Sequence, residues 1–548
     1  MASSLASSNV ANGVLGRRHR HGGGVDGLRA RAHASASSSR ARAPARVLAH
    51  GPGGGKHLDP TDVPKRSSAP VGVAGAVAEA PETPSPRERK NVYTETYGCQ
   101  MNVNDSEVML SVLADNGYDT TDDVHDADVI LINTCAIRDK AEAKIWQRLA
   151  YFKSLRRRRK KNEKPVVGVL GCMAERLKTQ LLEADQLADL VAGPDAYRDL
   201  PNLISAVNSS GEKAMNVQLS VEETYADIVP VRKEGAHAAF VTIMRGCDNA
   251  CSFCIVPYTR GRERSRDPAS IEYEVRLLSE QGVKEVTLLG QNVNSYAYVA
   301  EEGAGADGAT DFLSKLTGSM QFAALLDRVA SVDPEMRVRF TSPHPKDFPD
   351  EVLEVIKNRP NVCKCLHMPA QSGSTTTLER MARGYTREAY LDLIKNVHEK
   401  IPGCAITTDI ITGFCAETEE EHEDTVSLMK LVKYEQAFMF AYSEREGTAA
   451  ARKMSDDVDD DVKQRRLAEI IDAFRSSASE RNEREIGRVH LCLVEGVSKK
   501  NDRELTGKTD TSKWVVFADD DPRLLHRAAH VRREAGARER VRRLRRGF

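Results

Sequence analysis

The sequence predicts an α/β fold in three parts, in which two successive β/α regions precede a short all-β region. Short apolar runs alternate with helical stretches, first over residues 91–205 and again over 233–455, and this alternation is typical of parallel sheets. From residue 487 onwards, strand-like segments follow one another without intervening helices. The expected architecture is a Rossmann-like β/α domain, a central partial (β/α)6 TIM barrel and a small, incomplete C-terminal β-barrel.

Composition sets the broad class of protein. The chain has 548 residues, 40% of them hydrophobic and 29% charged, which is typical of a globular protein with several domains. No stretch approaches about 18 consecutive apolar residues, so the sequence predicts no transmembrane helix. The 11 cysteines are spread along the chain, and this favours metal ligation in a reducing compartment over a disulfide framework.

Residues 1–58 form a separate compositional zone. Arg and Ser recur there, and Asp26 is the only acidic residue before Asp59. An acid-poor, Arg- and Ser-rich start is typical of an organellar transit peptide, and an ordinary disordered tail is the alternative. The Ala-Ser-Ser opening favours a plastid over a mitochondrion. A linker rich in Pro, Gly and Ala follows at 59–90.

The N-terminal β/α domain is expected over 91–205, with strands at 92–97, 129–132 and 166–170. Helices are predicted at 105–116, from about 139 and from 174. A cysteine follows each of the three strands, and the intervals between these cysteines are 36 and 37 residues. Because the carboxyl ends of parallel strands meet at one sheet edge, we expect a three-thiolate cluster site with one open iron, formed by Cys99, Cys135 and Cys172. Ordinary burial of the three cysteines is the alternative.

The central region, 233–455, carries a second set of three cysteines. Cys247, Cys251 and Cys254 form a C-x3-C-x2-C run, and three thiolates on one loop can hold three irons of a 4Fe-4S cluster. The fourth iron is then free to bind a small molecule. A zinc site and accidental core cysteines are the alternatives. The six strands of the predicted barrel are 240–243, 286–290, 337–342, 365–368, 406–411 and 437–442, and a mobile insert is expected at 301–306.

Several short motifs, in order, resemble those of the MiaB-type radical-SAM methylthiotransferase family over about 91–517. The motifs are Tyr97–Asn102, Asn133–Arg138, Gly171–Arg176, Arg245–Cys254, Leu289–Tyr296, Pro369–Ser374 and Leu493–Gly496. Gln100 and Met101 resemble the branch that acts on N6-isopentenyladenosine beside the tRNA anticodon. Cys415 resembles the eukaryotic subgroup named after a Cdk5 regulatory-subunit-associated protein, and it is expected to be a subgroup residue instead of a seventh ligand.

The resemblance implies two 4Fe-4S clusters and S-adenosyl-L-methionine as cofactors. The cluster on Cys247, Cys251 and Cys254 would be catalytic and would bind S-adenosylmethionine, from which a 5′-deoxyadenosyl radical arises. The other cluster would supply the sulfur for carbon 2 of the adenine. Gly290, Gln291 and Asn292 are candidate cofactor contacts, with a plain turn as the alternative. The implied partners are the tRNA anticodon stem-loop and a flavodoxin- or ferredoxin-like electron donor, and the protein is expected to be a monomer without a membrane contact.

Two basic segments are candidate RNA contacts. The run 156–161 is one, and a solvated helix end is its alternative. A connecting helix is predicted at 456–486, followed by the start of a TRAM-like domain at 487–521. The tail at 522–548 contains ten arginines. It is expected either to bind RNA or to be an altered end that leaves the barrel unclosed, and the loss of alternation after Asp521 favours the second interpretation.

Two other functions are compatible with parts of the sequence. The same chemistry could act on threonylcarbamoyl-adenosine tRNA or on a ribosomal-protein aspartate, but the wording of the first three cysteine motifs argues against both. A non-catalytic regulator that binds a kinase activator is the third interpretation. The presence of all six motif cysteines argues against it.

Overall fold

The computed structural model describes residues 89–136, 139–158, 160, 164–183, 187–223, 225–232, 235–299, 318–518 and 530–534. The chain divides into two compact units, Met1–Ala80 and Pro81–Phe548, and every described residue belongs to the second unit. The predicted transit peptide, the insert at 301–306 and the tail after 534 lie outside the described residues. Within the described part of the chain, no helix is both long enough and apolar enough to cross a membrane.

The N-terminal region contains a six-stranded parallel sheet with strand order β2-β1-β3-β4-β5-β6. Its strands are β1 (Lys90–Thr96), β2 (Tyr118–Thr120), β3 (Val129–Thr134), β4 (Val166–Gly171), β5 (Leu190–Ala192) and β6 (Ala214–Asn216). Its helices are α1 (Gln100–Asp115), α2 (Asp139–Arg158), α3 (Cys172–Leu177), α4 (Thr179–Glu183) and α5 (Leu200–Ser210), with a 3-10 turn at Tyr197–Asp199. The predicted parallel β/α architecture is confirmed.

Strand β3 illustrates why the central strands of this sheet are apolar at nearly every position. All of its residues are buried. Val129 and Leu131 belong to the hydrophobic core on one face, whereas Ile130 and Ile132 belong to the core on the other face. Because successive side chains of a strand point to opposite faces, a strand covered on both sides needs apolar residues throughout.

Helix α1 begins earlier than predicted. It starts at Gln100, directly after Cys99, and not at Asp105. Its first turns bury the polar side chains of Asn102, Asn104 and Asp105. The apolar periodicity that marks a helix in a sequence therefore starts only afterwards, at Val108, although the backbone is already helical.

Six parallel strands form the central region, as two three-stranded sheets of order β11-β10-β7 and β12-β13-β14. A parallel bridge between Val338 and Val362 connects β11 to the segment that precedes β12. The strands are β7 (Ala238–Thr242), β10 (Glu285–Leu289), β11 (Arg337–Phe340), β12 (Cys365–His367), β13 (Ala405–Thr412) and β14 (Gln436–Ala441). A short antiparallel pair, β8 (Met244–Arg245) and β9 (Arg264–Ser265), brackets the cysteine loop. Six strands arranged in this way agree with the predicted partial barrel.

The helices of the central region cover the outer face of these strands, where one large hydrophobic core lies. They are α6 (Val256–Arg260), α7 (Pro268–Glu280), Gly318–Ala330, Asp350–Asn358, Thr375–Arg380, Arg387–Lys400, Glu419–Val432 and Ala449–Lys453, with 3-10 turns at Val293–Ser295 and Pro345–Asp347. The helix Asp460–Glu483 follows and packs on β14 and on the helix Glu419–Val432.

The C-terminal region is a four-stranded antiparallel sheet of order β17-β16-β15-β18. Its strands are β15 (Val489–Ser498), β16 (Asn501–Thr509), β17 (Trp514–Ala518) and β18 (His530–Glu534). Arg337 Nη1 donates to the carbonyl oxygen of Lys508 at 2.7 Å, and Arg339 Nη2 donates to that of Thr509 at 2.8 Å. These bonds attach the sheet to β11 of the central region.

Strand β18 corrects the expectation that strand structure ends at Asp521. It lies within the Arg-rich tail and pairs with β15 from Val489 opposite Glu534 to Leu493 opposite His530. The segment 530–534 contains two arginines and a glutamate, so it lacks the apolar alternation by which a strand is predicted. A strand with only one neighbour tolerates such charge.

Candidate active site

The first set of predicted ligands lies at one edge of the N-terminal sheet. Cys135 and Cys172 directly follow β3 and β4, whereas Cys99 lies a few residues beyond the end of β1. These three strands are neighbours in the sheet. The Cys172 thiol is close enough to Cys99 for their charges to interact. Cys135 and Cys172 are buried, whereas Cys99 is exposed. This arrangement agrees with the expectation that each of three adjacent strand ends carries one cysteine.

A buried amide network holds this edge together. Asn102 Nδ2 donates to the carbonyl oxygen of Thr134 at 3.0 Å, and the Cys99 thiol donates to Asn102 Oδ1 at 3.2 Å. Gly98 has a φ of 130°, and a Cβ added there would lie 2.7 Å from the Cβ of Cys135. Only glycine therefore allows the β1 end to approach Cys135 this closely.

The second set of predicted ligands lies on the loop between β8 and α6. Ser252, in the middle of this loop, donates its backbone N–H to the carbonyl oxygen of Met381 at 2.9 Å and its hydroxyl to that of Arg380 at 2.8 Å. Burial raises the pKa of the Cys247 thiol to about 11 and that of Cys254 to about 12. Thiolates are the form that binds iron, so these thiols need positive charge nearby to ionise.

The spacing of these side chains is relevant to the kind of metal centre. Among the residues that the structure describes, no three His, Cys, Asp or Glu side chains are arranged to hold one metal ion. A cubane cluster uses a different iron for each thiolate, so its ligands do not converge on a single point. Two thiol-only donor sets, in which every cysteine but Cys99 is buried or partly buried, fit iron-sulfur clusters of that kind.

The chain segments that carry the two cysteine sets lie in contact. Cys172 packs with Ala136 and with Ile255, the residue that follows Cys254, and α3 packs against α6. The sequence predicts both sets but contains no signal for their adjacency, because it depends on how the N-terminal sheet docks on the central region.

A fully buried carboxylate joins the two regions at this contact. Asp105 Oδ1 lies 2.8 Å from Arg245 Nη1, and its Oδ2 lies 2.7 Å from Arg260 Nη2. Burial alone would raise the pKa of Asp105, but the two guanidiniums hold it below its usual value. Asp105 belongs to α1, which follows Cys99, whereas Arg245 and Arg260 flank the C-x3-C-x2-C loop. One ionised carboxylate therefore connects the segments that carry both cysteine sets.

The predicted cofactor contacts follow β10. Gln291 Oε1 and Asn292 Oδ1 are buried and have no hydrogen-bond partner among the described residues. A Cβ added to Gly290 would lie 2.5 Å from Met244 Cγ, so the glycine permits close packing of this turn against β8, next to the cysteine loop. Buried acceptors without partners are costly in a folded protein, and they fit a ligand that brings its own donors.

The interior of the barrel contains a polar pair that the sequence does not predict. His367 Nδ1 lies 2.8 Å from Thr407 Oγ1, and its Nε2 lies 3.3 Å from Asp409 Oδ2. Ile406 and Ile410 pack outwards into the hydrophobic core, so the alternate residues Thr407 and Asp409 face inwards. Both side chains of the pair are partly exposed. A single His at the end of a short strand gives no indication in the sequence that it will contact Thr407 and Asp409.

The remaining residues singled out from the sequence have mixed surroundings. Cys415 is buried with Met381, Phe414 and Tyr442. In the basic run, Arg156 Nη1 lies 3.0 Å from Asp189 Oδ2, so at least this arginine is engaged in an ion pair. Residues 159 and 161 lie outside the described residues.

Comparison with known proteins identifies three segments of the chain. The model of the uncharacterized protein family UPF0004 matches residues 91–193, that of the Radical SAM superfamily matches 241–429, and that of the TRAM domain matches 483–534. The TRAM match includes β18, so the resemblance extends beyond the predicted partial TRAM segment at 487–521.

Relatives match most of the chain. It is 54% identical to the mitochondrial tRNA methylthiotransferase CDK5RAP1 of Rattus norvegicus, over 79% of this chain and 75% of that protein. It is 52% identical to the CDK5RAP1-like protein of Oryza sativa subsp. japonica, over 83% and 79% of the two chains. It is 54% identical to the tRNA-2-methylthio-N(6)-dimethylallyladenosine synthase of Amoebophilus asiaticus, over 80% and 89%.

Among solved structures, the chain is similar to the radical S-adenosylmethionine methyltransferase TsrM from Kitasatospora setae, with a TM-score of 0.47 and 14% identity over 64% of this chain and 72% of that chain. The family assignment depends on the sequence relatives, which share about half of their residues with this chain over at least three quarters of their own length. The chain belongs to the MiaB-type radical-SAM methylthiotransferase family.

Proposed function

We propose that this chain is a transferase that adds a methylthio group to carbon 2 of N6-isopentenyladenosine next to the anticodon of tRNA. The observation that carries this proposal is the packing of the two cysteine-bearing segments on each other, since Cys172 shares a buried cluster with Ile255, the residue after Cys254. The relative from Amoebophilus asiaticus is named for the same product, since dimethylallyl and isopentenyl denote the same substituent. Sulfur insertion needs a sulfur source close to the centre that activates the carbon, and the packing of the two cysteine-bearing segments supports such an arrangement.

Enzymes of this family use two 4Fe-4S clusters and S-adenosyl-L-methionine. We assign one cluster to Cys99, Cys135 and Cys172 and the other, catalytic cluster to Cys247, Cys251 and Cys254. When bound, these cofactors supply the one-electron chemistry and the sulfur that substitution at an unactivated aromatic carbon requires. Three thiolates per cluster leave one iron of each available to a small molecule.

The chain's own residues bind, orient and shield these groups. Gly290, Gln291 and Asn292 are the proposed contacts to S-adenosylmethionine, because two buried acceptors there have no partner within the described protein. His367 and Asp409 face the interior of the barrel and are proposed to lie where a flipped-out adenine would enter. The four-stranded sheet at the C-terminus corresponds to the TRAM match. We propose that this sheet binds the anticodon stem-loop.

The proposed domains are those predicted from the sequence: 91–205 for the cluster that supplies sulfur, 233–455 for the radical-SAM core and 456–486 for the connecting helix. The N-terminal sheet itself continues past 205 to β6. The sequence predicts the TRAM domain at 487–521, and we propose that it continues to Glu534, which the TRAM family match over 483–534 supports. We further propose an organellar location, with a plastid favoured by the Ala-Ser-Ser opening, and note that the rat relative is named as mitochondrial. The proposed electron donor is flavodoxin- or ferredoxin-like, and the enzyme is proposed to act as a monomer.

Nucleoside mass spectrometry tests the choice of substrate. The reconstituted full chain is incubated anaerobically with S-adenosylmethionine, a reductant and anticodon stem-loop RNA that carries either N6-isopentenyladenosine or threonylcarbamoyl-adenosine. We expect the 2-methylthio product only from the isopentenylated RNA, and no product from the Cys247→Ala variant. Methylthiolation of the threonylcarbamoyl RNA alone would move the chain to the other branch. Absence of both products, with both clusters loaded, would favour the regulatory role.

A further inference from the structure

We propose that Arg260 and Arg383 are positioning residues that each donate a hydrogen bond to one cluster thiolate and thereby set the reduction potentials of the two clusters separately. Arg260 Nε donates to Cys172 Sγ at 3.2 Å, and Arg383 Nη1 donates to Cys251 Sγ at 3.2 Å. The proposal rests on the proposed function, because it requires these cysteines to be cluster ligands. It adds two residues outside both cysteine motifs.

Both guanidiniums are held in place by partners other than sulfur. Arg260 is 3% exposed and also binds Asp105. Arg383 is 6% exposed; its Nη2 donates to the carbonyl oxygen of Pro369 at 3.1 Å, and its Nε donates to the Tyr385 hydroxyl at 3.1 Å. A cation fixed in this way does not follow its thiol passively, so each sulfur lies against a preorganised charge.

The position of Arg260 gives it a second role. It lies on α6, six residues after Cys254, but its sulfur partner Cys172 belongs to the N-terminal region. The same guanidinium therefore attaches a ligand of one cluster to the segment that carries the ligands of the other. Its Nη1 is buried and has no partner among the described residues, so this side chain keeps one unused donor.

The electrostatic consequence has a definite sign. Adding an electron makes an iron-sulfur cluster more negative, so a nearby cation and an N–H···S bond stabilise the reduced form more than the oxidised form. Hydrogen bonds to charged groups are stronger than neutral ones. Weakening one of these bonds should therefore lower the reduction potential of the cluster that loses it and leave the other cluster unchanged.

The test is an EPR-monitored potentiometric titration of full-length variants that each retain one cluster. Cys247/Cys251/Cys254→Ala retains the first cluster, and Cys99/Cys135/Cys172→Ala retains the second. Arg260→Lys and Arg383→Lys are each introduced into both backgrounds, because Lys keeps the charge but loses the planar donor geometry. Arg264→Lys is the matched control: Arg264 is also buried and lies 2.8 Å from Asp195, without a bond to sulfur.

We expect Arg260→Lys to lower the equilibrium constant for one-electron reduction of the cluster about tenfold, and only in the first background. This corresponds to a reduction potential lower by ~59 mV. Arg383→Lys should do the same in the second background only. Loss of iron confined to the variant's own cluster would also support the proposal, because that thiolate would no longer be held. Unchanged potentials with full iron content, or equal changes in both backgrounds and in Arg264→Lys, would overturn it. If neither parent background binds about four irons, the proposed function itself fails.

Discussion

Replacing Asp105 with Asn tests whether one buried carboxylate joins the two cysteine-bearing regions. Asp105 is fully buried and accepts bonds from Arg245 and Arg260 at 2.8 and 2.7 Å. Asn has one acceptor oxygen where Asp has two, and its amide N–H groups would face a guanidinium. The substitution therefore leaves the buried Arg260 without its carboxylate partner, and it leaves Arg245 with only Glu223, whose Oε1 lies 3.6 Å from Arg245 Nε.

The expected magnitude follows from the burial of all three groups. Breaking a buried ion pair by removing one partner costs about 3–5 kcal/mol, because the remaining charge stays in a poorly solvated site. Asp227→Asn is the matched control. Its side chain is 72% exposed and pairs with Arg198 at the surface, and such pairs contribute about 0–1 kcal/mol.

Urea unfolding of the full chain, followed by circular dichroism, measures the difference. We expect a clear decrease in the urea midpoint for Asp105→Asn and little change for Asp227→Asn. A midpoint for Asp105→Asn as close to wild type as that of the control would refute the inference that this carboxylate holds the two regions together.

Three further predictions concern the fold and the site. The Glu485 carboxylate, bonded to His490 and Lys513, has its pKa lowered to about 2; the stability it contributes is present above about pH 4.3 and lost as the pH falls towards 2. The urea midpoint should therefore fall over that range, and less so in Glu485→Gln. Gly98→Ala should reduce the iron bound after anaerobic reconstitution from about eight towards about four per chain, because the new methyl group overlaps Cys135; full iron content would contradict this. Gln291→Ala should weaken S-adenosylmethionine binding about tenfold in calorimetry without changing iron content, and unchanged affinity would exclude the proposed contact.

The β/α architecture was predictable because its central strands are buried on both faces. Residues 129–132 are apolar at every position, and the structure places them in two cores on opposite sides of the sheet. The cysteines at the strand ends were predictable for a related reason, since parallel topology brings these ends to one edge. Local apolar patterning and topology are sufficient for both predictions.

Features that depend on polar burial or on docking were not predictable. The first turns of α1 bury Asn102, Asn104 and Asp105, so no apolar period marks its start. Strand β18 lies in a segment whose composition resembles a basic tail. Arg260 is one of several arginines between 260 and 266, and only the three-dimensional contact with Cys172 distinguishes it from its neighbours.

Anaerobic iron and sulfide analysis of the chain tests the central claim most directly, with the two triple Cys→Ala variants measured in parallel. Two cubane clusters on three thiolates each predict about eight irons per chain and about four in either variant. Four irons that are lost only with the Cys247, Cys251 and Cys254 triple would leave a radical-SAM enzyme without its sulfur-supplying cluster. No iron, or a single bound zinc, would contradict the account.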